Sequence, residues 1–156
     1  MLNCARALGL IVVGYSCATA AARDIALISH KSNSVTAMAL PELAKICKGQ
    51  TNHWPDGKAV TFVTRSPDSP EMRIVVEKVY AMPKDEVSAT IESANHSRAN
   101  HPAIIIVATD EAVVQKVQST PGAIGLVDVY SITGGVNVLK VGGKLPLEPG
   151  YSLHGN

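Results

Sequence analysis

The chain has 156 residues, of which 46% are hydrophobic, and it carries 14 basic and 13 acidic side chains. This length suits one ordinary domain with a real core and is short for two substantial lobes around a cleft. The nearly neutral charge argues against a nucleic-acid partner and against broad electrostatic capture of anions. An anion would therefore have to be held locally, by backbone amides and a few side chains.

Residues 1–22 have the pattern of a secretory signal peptide. Arg6 supplies a positive start, residues 7–13 form an apolar run too short for a stable membrane span, and small residues at 18–22 offer cleavage sites. We therefore expect a periplasmic or secreted protein in which removal of 22 of the 156 residues leaves 134. A lipoprotein attached through Cys17 is the alternative, although Gly14 and Tyr15 fit a lipidation motif poorly.

The mature part of the chain alternates predicted strands and helices. Apolar, β-branched runs predict strands at residues 25–28, 60–64, 103–107, 122–129 and 136–141. The run 103–107 contains three consecutive isoleucines, Ile104, Ile105 and Ile106, and predicts a central strand that is buried on both faces.

Helix signals lie between these runs. One helix begins near Pro41 and ends before Gly49, and a second begins at Ser69 and Pro70. Residues 83–93 predict a third helix, and Thr109 caps a fourth. The alternation predicts one α/β domain over residues 23–143, and the Pro- and Gly-containing residues 144–156 predict a loosely ordered tail.

Three polar loops follow predicted strands and lead toward helix starts, at residues 29–34, 65–69 and 108–110. Ligands of open α/β sheets collect at such strand ends, and the free amides of helix N-termini suit oxyanions. The alternative for each loop is an ordinary helix cap or polar turn, and spacing alone leaves both open.

Several motifs in the same order resemble those of the substrate-binding proteins of phosphate-type ABC transporters. They are a helix end with Ile46 and Gly49, a turn with Trp54, a strand ending at Arg65, a helix start at Ser69, and Pro-Gly-Ala-Ile-Gly at 121–125. The resemblance extends over about residues 25–141. It implies an α/β fold like one lobe of a type II periplasmic binding protein, a mixed sheet flanked by helices, and a binding module rather than an enzyme.

The resemblance also implies a site. Arg65 and Ser69 match residues that contact the ligand in the family, inorganic phosphate or a similar oxyanion, and Thr109 is a further candidate. We expect Ser32 and Asn33 to close the other side of this site from the end of the first strand. A membrane permease is the implied partner. The alternative is a periplasmic interaction protein that keeps the fold without a small-molecule site and acts through an envelope protein.

Two departures from the family pattern predict weak anion binding. Pro70 and Glu71 stand where the family has Gly-Thr, so one amide donor is lost and a carboxylate enters the first helical turn. A carboxylate there competes with a bound anion and repels it. The resemblance also covers only a portion of the larger family members, which close two lobes on the ion.

No cofactor, metal site or catalytic set is predicted. Cys47, the one cysteine beyond residue 22, lies at an apolar helix position and reads as a small buried hydrophobe. His96 and His101 are the residues closest to a metal pair, but their spacing does not suit one helix face, and a solvated loop is favoured. No nucleophile, base and orienting group occur together in a recognisable motif, which argues against an enzyme.

Overall fold

The computed structural model describes residues 23–96, 98 and 100–155; the predicted signal peptide and Cys17 lie outside them. The strands in this part of the chain are β1 (Ile25–His30), β2 (Ala37–Met38), β3 (Thr61–Arg65), β4 (Ile104–Val107), β5 (Ala123–Asp128) and β6 (Val136–Val141). The α-helices are α1 (Leu40–Cys47), α2 (Arg73–Val75), α3 (Lys84–Asn95) and α4 (Asp110–Ser119). A mixed α/β domain is thereby confirmed.

The six strands form one mixed sheet in the order β2-β6-β1-β5-β3-β4. Strands β3, β4 and β5 are parallel, whereas β1 runs antiparallel to both of its neighbours, β5 and β6. The register pairs Ile25 with Asp128 and Ser29 with Ile124. The start of β1 therefore lies beside the end of β5, and this direction decides which loops can share a site.

Helices cover both faces of the sheet. One face packs the side chains of Leu27, Phe62 and Ile124 into a core shared with the helices between β2 and β4. On the other face, Ile28 and Val63 belong to a second buried cluster with the inward valines of α4, Val113, Val114 and Val117. This arrangement matches the rule that helices crossing between parallel strands cover the sheet.

The helix predicted after Ser69 is present but irregular. A 3₁₀ turn, Pro70–Met72, leads into α2, and a π-helical turn, Val76–Tyr80, follows it. Pro70 suits the first position because its missing N–H has no acceptor there in any case. Glu71 therefore lies in the short 3₁₀ turn that follows the end of β3 along the chain.

The prediction of a central, buried strand at 103–107 is wrong in its position. β4 is an edge strand, and the side chain of Ile106 is 48% exposed while that of Ile104 is 2% exposed. Asn95, at the end of α3, exchanges hydrogen bonds of 2.8 and 3.0 Å with the outward backbone groups of Ile104. That side chain blocks part of the free edge, where an unpaired strand would invite aggregation.

The tail also differs from the expectation of loose order. Leu153 is fully buried and Tyr151 is 4% exposed, and both belong to the larger core cluster. The N–H of Ile25 donates to the carbonyl of Leu153 at 3.0 Å, and the Tyr151 hydroxyl donates to the carbonyl of Ile25 at 2.9 Å. The segment is therefore ordered by the burial of alternate apolar side chains and by backbone hydrogen bonds, as an edge strand would be. Among the described residues, no helix is long and apolar enough to cross a membrane.

Candidate functional site

The C-terminal ends of the three parallel strands β3, β4 and β5 lie together at one end of the sheet, which we call the carboxyl edge. β3 ends at Arg65, which pairs in register with Val107 at the end of β4, and β5 ends at Asp128. The loops that leave these ends bring together the turn at 65–71, the start of α4 and the turn after β5. Ligands of open sheets gather at this kind of edge.

Arg65 is the central charged residue of this edge. Its Nη1 lies 3.4 Å from the Oε2 of Glu71 and 3.5 Å from the Oδ1 of Asp110. The Arg65 side chain is 20% exposed, that of Glu71 is 42% exposed and that of Asp110 is 10% exposed. Both carboxylates contact the same nitrogen, so within the described residues Nε and Nη2 of the guanidinium keep N–H donors that can serve a ligand.

Asp110 connects the three loops. Its Oδ2 accepts hydrogen bonds from the backbone N–H of Asp128 at 3.2 Å and from the hydroxyl of Ser131 at 3.4 Å. As the first residue of α4 it also lies at the positive end of the helix dipole, which stabilises its charge. A buried carboxylate is tolerated when its oxygens are paired in this way.

Asp128 extends the network of charges. Its Oδ2 accepts from the Nη1 of Arg23 at 3.0 Å, and its Oδ1 accepts from the N–H of Tyr130 at 2.9 Å. The hydrogen bond to Asp128 and the charge of that carboxylate raise the pKa of the exposed Arg23 above its ordinary value. Arg23 is thus paired with Asp128, whereas Arg65 is paired with Glu71 and Asp110.

The structure brings Ser69 and Thr109 to the same edge as Arg65. The Ser69 hydroxyl donates to the carbonyl of Ser66 at 2.8 Å, which closes the turn and leaves the oxygen as an acceptor. The Thr109 hydroxyl accepts from the N–H of Ala112 at 3.1 Å, so the predicted helix cap is confirmed. Both side chains are partly engaged in local structure.

Ser32 and Asn33 lie elsewhere, which corrects the expectation that they face Arg65. Because β1 is antiparallel to β5, the loop after β1 leaves the opposite edge of the sheet, beside the starts of β3 and β5. There the Ser32 hydroxyl lies 2.8 Å from the Nδ1 of His30, and the Oδ1 of Asn33 accepts from the N–H of Val35 at 3.0 Å. These contacts form a polar turn.

A groove of about 280 Å³ borders the turn at 65–71. It is lined by Pro67, Asp68, Ser69, Pro70, Arg73, Val76 and Lys84. The Nζ of Lys84 lies 2.8 Å from the Oδ1 of Asp68, and this contact raises the pKa of Lys84. Since Arg65 does not line this groove, the charged side chains around Arg65, rather than the groove, mark the candidate site.

Sequence reasoning missed Asp110 as a partner of Arg65. The signal available for this contact was an acidic residue that directly follows a helix-capping threonine just after an apolar strand. In the described part of the chain, no three His, Cys, Asp and Glu side chains lie together in a way that could hold a metal ion. Both His96 and His101 are exposed.

Comparison with known proteins decides the family. A family model described as a PBP superfamily domain matches residues 12–145. The chain belongs to this family. The resemblance noted in the sequence is thereby confirmed at the level of the family, and no curated protein matches the chain.

Solved structures with the same fold include several phosphate-binding proteins. An ABC-type phosphate transport receptor from Vibrio cholerae is 18% identical with a TM-score of 0.66, and the match covers 86% of this chain and 54% of that one. PstS from Borrelia burgdorferi is 22% identical with a TM-score of 0.66, over 86% of this chain and 55% of that one.

A putative phosphate ABC transporter substrate-binding protein from Clostridium perfringens, with bound phosphate, is 22% identical with a TM-score of 0.63. That match covers 78% of this chain and 46% of the other. At these identities the likeness establishes the fold. The chain spans about half the length of these solved relatives.

Proposed function

We propose that this protein is a non-enzymatic module that binds inorganic phosphate or a similar oxyanion weakly at Arg65, with Ser69 and Thr109 beside it. The single observation that carries the proposal is the position of Arg65 at the carboxyl edge, where both carboxylates that contact it in the described part of the chain share one nitrogen and leave Nε and Nη2 for an anion. Charge-assisted hydrogen bonds from a guanidinium to an oxyanion are among the strong ones.

The same geometry limits affinity. Glu71 and Asp110 together offset the charge of Arg65, and the Ser69 hydroxyl already donates to Ser66. Pro70 has no N–H to offer at the start of the turn. Because the Glu71 side chain at this site is 42% exposed to water, we expect a dissociation constant on the order of millimolar or somewhat tighter.

Titration calorimetry or NMR titration with phosphate and sulfate tests the proposal with two variants that should change the affinity in opposite directions. Arg65→Ala removes the main donor and should weaken phosphate binding by about tenfold or more. Glu71→Thr removes a like charge and should strengthen binding by about twofold to fivefold, as an exposed charge contact allows. Arg73→Ala, which removes an exposed arginine from the adjacent helix, is the matched control and should change affinity little.

A second candidate has its own supporting observation. Arg65 lies between two carboxylates, an arrangement that suits an interaction protein keeping the fold without a small-molecule site. If neither the wild type nor Glu71→Thr binds phosphate or sulfate, the binding proposal fails and this candidate replaces it. An envelope protein would then be the expected partner.

Export and a transporter partner complete the proposal. We propose a periplasmic or secreted location after removal of residues 1–22, and a membrane permease as the protein that receives the ligand. Family membership and the fold of phosphate transport receptors support this placement. Mass spectrometry of exported protein should find an N-terminus within residues 21–24 and no lipid, whereas a mature chain starting at a diacylated Cys17 would contradict it.

A further inference from the structure

We infer that Asp110 is the positioning residue of the oxyanion site, holding the guanidinium of Arg65 in the orientation that presents Nε and Nη2 to the ligand. This inference rests on the proposed function. It adds to that function a residue whose negative charge repels the anion but whose contact orients the guanidinium that binds the anion.

The two carboxylates at Arg65 differ in how firmly they are held. Asp110 is one-tenth exposed, and its second oxygen is bonded to the backbone of Asp128 and to the Ser131 hydroxyl. Glu71 is 42% exposed and has a longer side chain on a short 3₁₀ turn. Asp110 is therefore a fixed partner of Nη1, whereas Glu71 can rotate away when an anion arrives.

The tethers of Asp110 also join the structural elements that form the site. One oxygen faces the end of β3 through Arg65, the other faces the end of β5 and the turn that follows it, and the residue itself begins α4. Loss of the carboxylate would free the guanidinium to rotate and would leave the N–H of Asp128 without this acceptor. An arginine that samples several orientations pays more conformational entropy on binding.

Charge alone and positioning predict opposite signs for one substitution. Asp110→Asn removes a negative charge near the anion. Because this removes a Coulomb repulsion, charge alone should make binding stronger. If Asp110 acts by holding Arg65, the same substitution should weaken phosphate binding by about tenfold, the loss expected for a hydrogen bond to a charged group. The sign of the change separates the two explanations.

Glu111→Gln is the matched control. Glu111 is the next residue of α4 and is exposed. Its substitution removes the same charge from the same helix terminus and leaves the contact between Asp110 and Arg65 unchanged. We expect its phosphate affinity to stay within about twofold of the wild type. Ser131→Ala removes only the hydroxyl that fixes the second oxygen of Asp110, and it should weaken binding by about threefold.

A spectroscopic measurement gives a readout that general destabilisation would not move and that needs no ligand. NMR of the Arg65 guanidinium, assigned by its absence in Arg65→Ala, should show slow rotation about the Cζ–Nε bond in the wild type and in Glu111→Gln. Rotation should be faster in Asp110→Asn, and to a lesser degree in Ser131→Ala. Thermal unfolding of each variant verifies that the protein is folded.

Each outcome decides the inference. Phosphate binding by folded Asp110→Asn that equals or exceeds wild-type binding would overturn it, as would unchanged rotation of the guanidinium. If Asp110→Asn does not fold, Ser131→Ala decides by the same two measurements. If neither the wild type nor Glu71→Thr binds phosphate, the proposed function fails, and the rotation measurement alone then tells whether Asp110 positions Arg65.

Discussion

The burial of the C-terminal segment provides a sharp test of the fold. Leu153→Ala should destabilise the protein by about 3–5 kcal/mol, because the side chain is fully buried in the larger core cluster. The transfer of about three methylene equivalents accounts for ~2.4 kcal/mol, and the remainder comes from the cavity left behind. For a domain of this size that loss corresponds to a decrease in Tm of roughly 10–20 °C.

Urea unfolding followed by the fluorescence of Trp54 measures the effect. Trp54 is the only tryptophan, is 7% exposed, and donates from Nε1 to the carbonyl of Gly122 at 2.8 Å, so its emission reports on native packing. Leu147→Ala is the matched control, since the same change occurs in the same segment at a side chain that is 61% exposed. A loss below ~1 kcal/mol for Leu153→Ala, with an unchanged urea dependence, would refute a docked tail.

Two further predictions address the sheet and the buried thiol. Ile104→Ala should cost about 2–5 kcal/mol and Ile106→Ala less than ~1 kcal/mol, as the edge position of β4 requires; similar losses in urea unfolding would contradict that position. Burial raises the pKa of the Cys47 thiol, so stability should fall as pH rises above the unfolded value, about 8.5, and part of that fall should vanish in Cys47→Ala. A native Cys47 that reacts readily with a thiol reagent near pH 8 would contradict its burial.

Local signals in the sequence predicted most helices and strands correctly. Proline at a first turn, glycine at a helix end and threonine at a cap act on their immediate neighbours, and α1 and α4 lie where these signals place them. Gly49, with a φ of 69°, adopts the left-handed conformation that ends a helix. The two-residue strand β2 was missed, because so short a pairing depends on β6 rather than on its own residues.

Features that depend on distant parts of the chain were less accessible. An Ile-rich run has the same composition in a central strand and in an edge strand, and only the sheet order shows that Ile106 faces solvent. In the tail, the apolar alternation of Tyr151 and Leu153 was a usable strand-like signal, but Pro and Gly nearby outweighed it. The partner that orders this segment is the start of β1, more than a hundred positions away.

The same limit applies to the candidate site. The motif resemblance selected Arg65 and Ser69 as ligand contacts, and that role stays a prediction. Ser32 and Asn33 were misplaced because strand direction is not encoded within the strand. A polar loop after an apolar run looks alike whether the strand is parallel or antiparallel to its neighbours. Only the pairing of β1 with β5 assigns that loop to the far side of the sheet.

Two carboxylates of the same formal charge contact the same nitrogen of Arg65, yet burial gives them different roles. Among the described residues, the Glu71 carboxylate forms an ion pair with Arg65 and no further hydrogen bond, so its removal leaves the guanidinium in place and removes an opposing charge. Asp110 has two further hydrogen bonds that anchor it to β5 and the following turn, so its removal also releases the guanidinium. A count of charges near an anion site therefore predicts the effect of Glu71 and fails for Asp110. The difference follows from which oxygen atoms are already bonded to the rest of the fold.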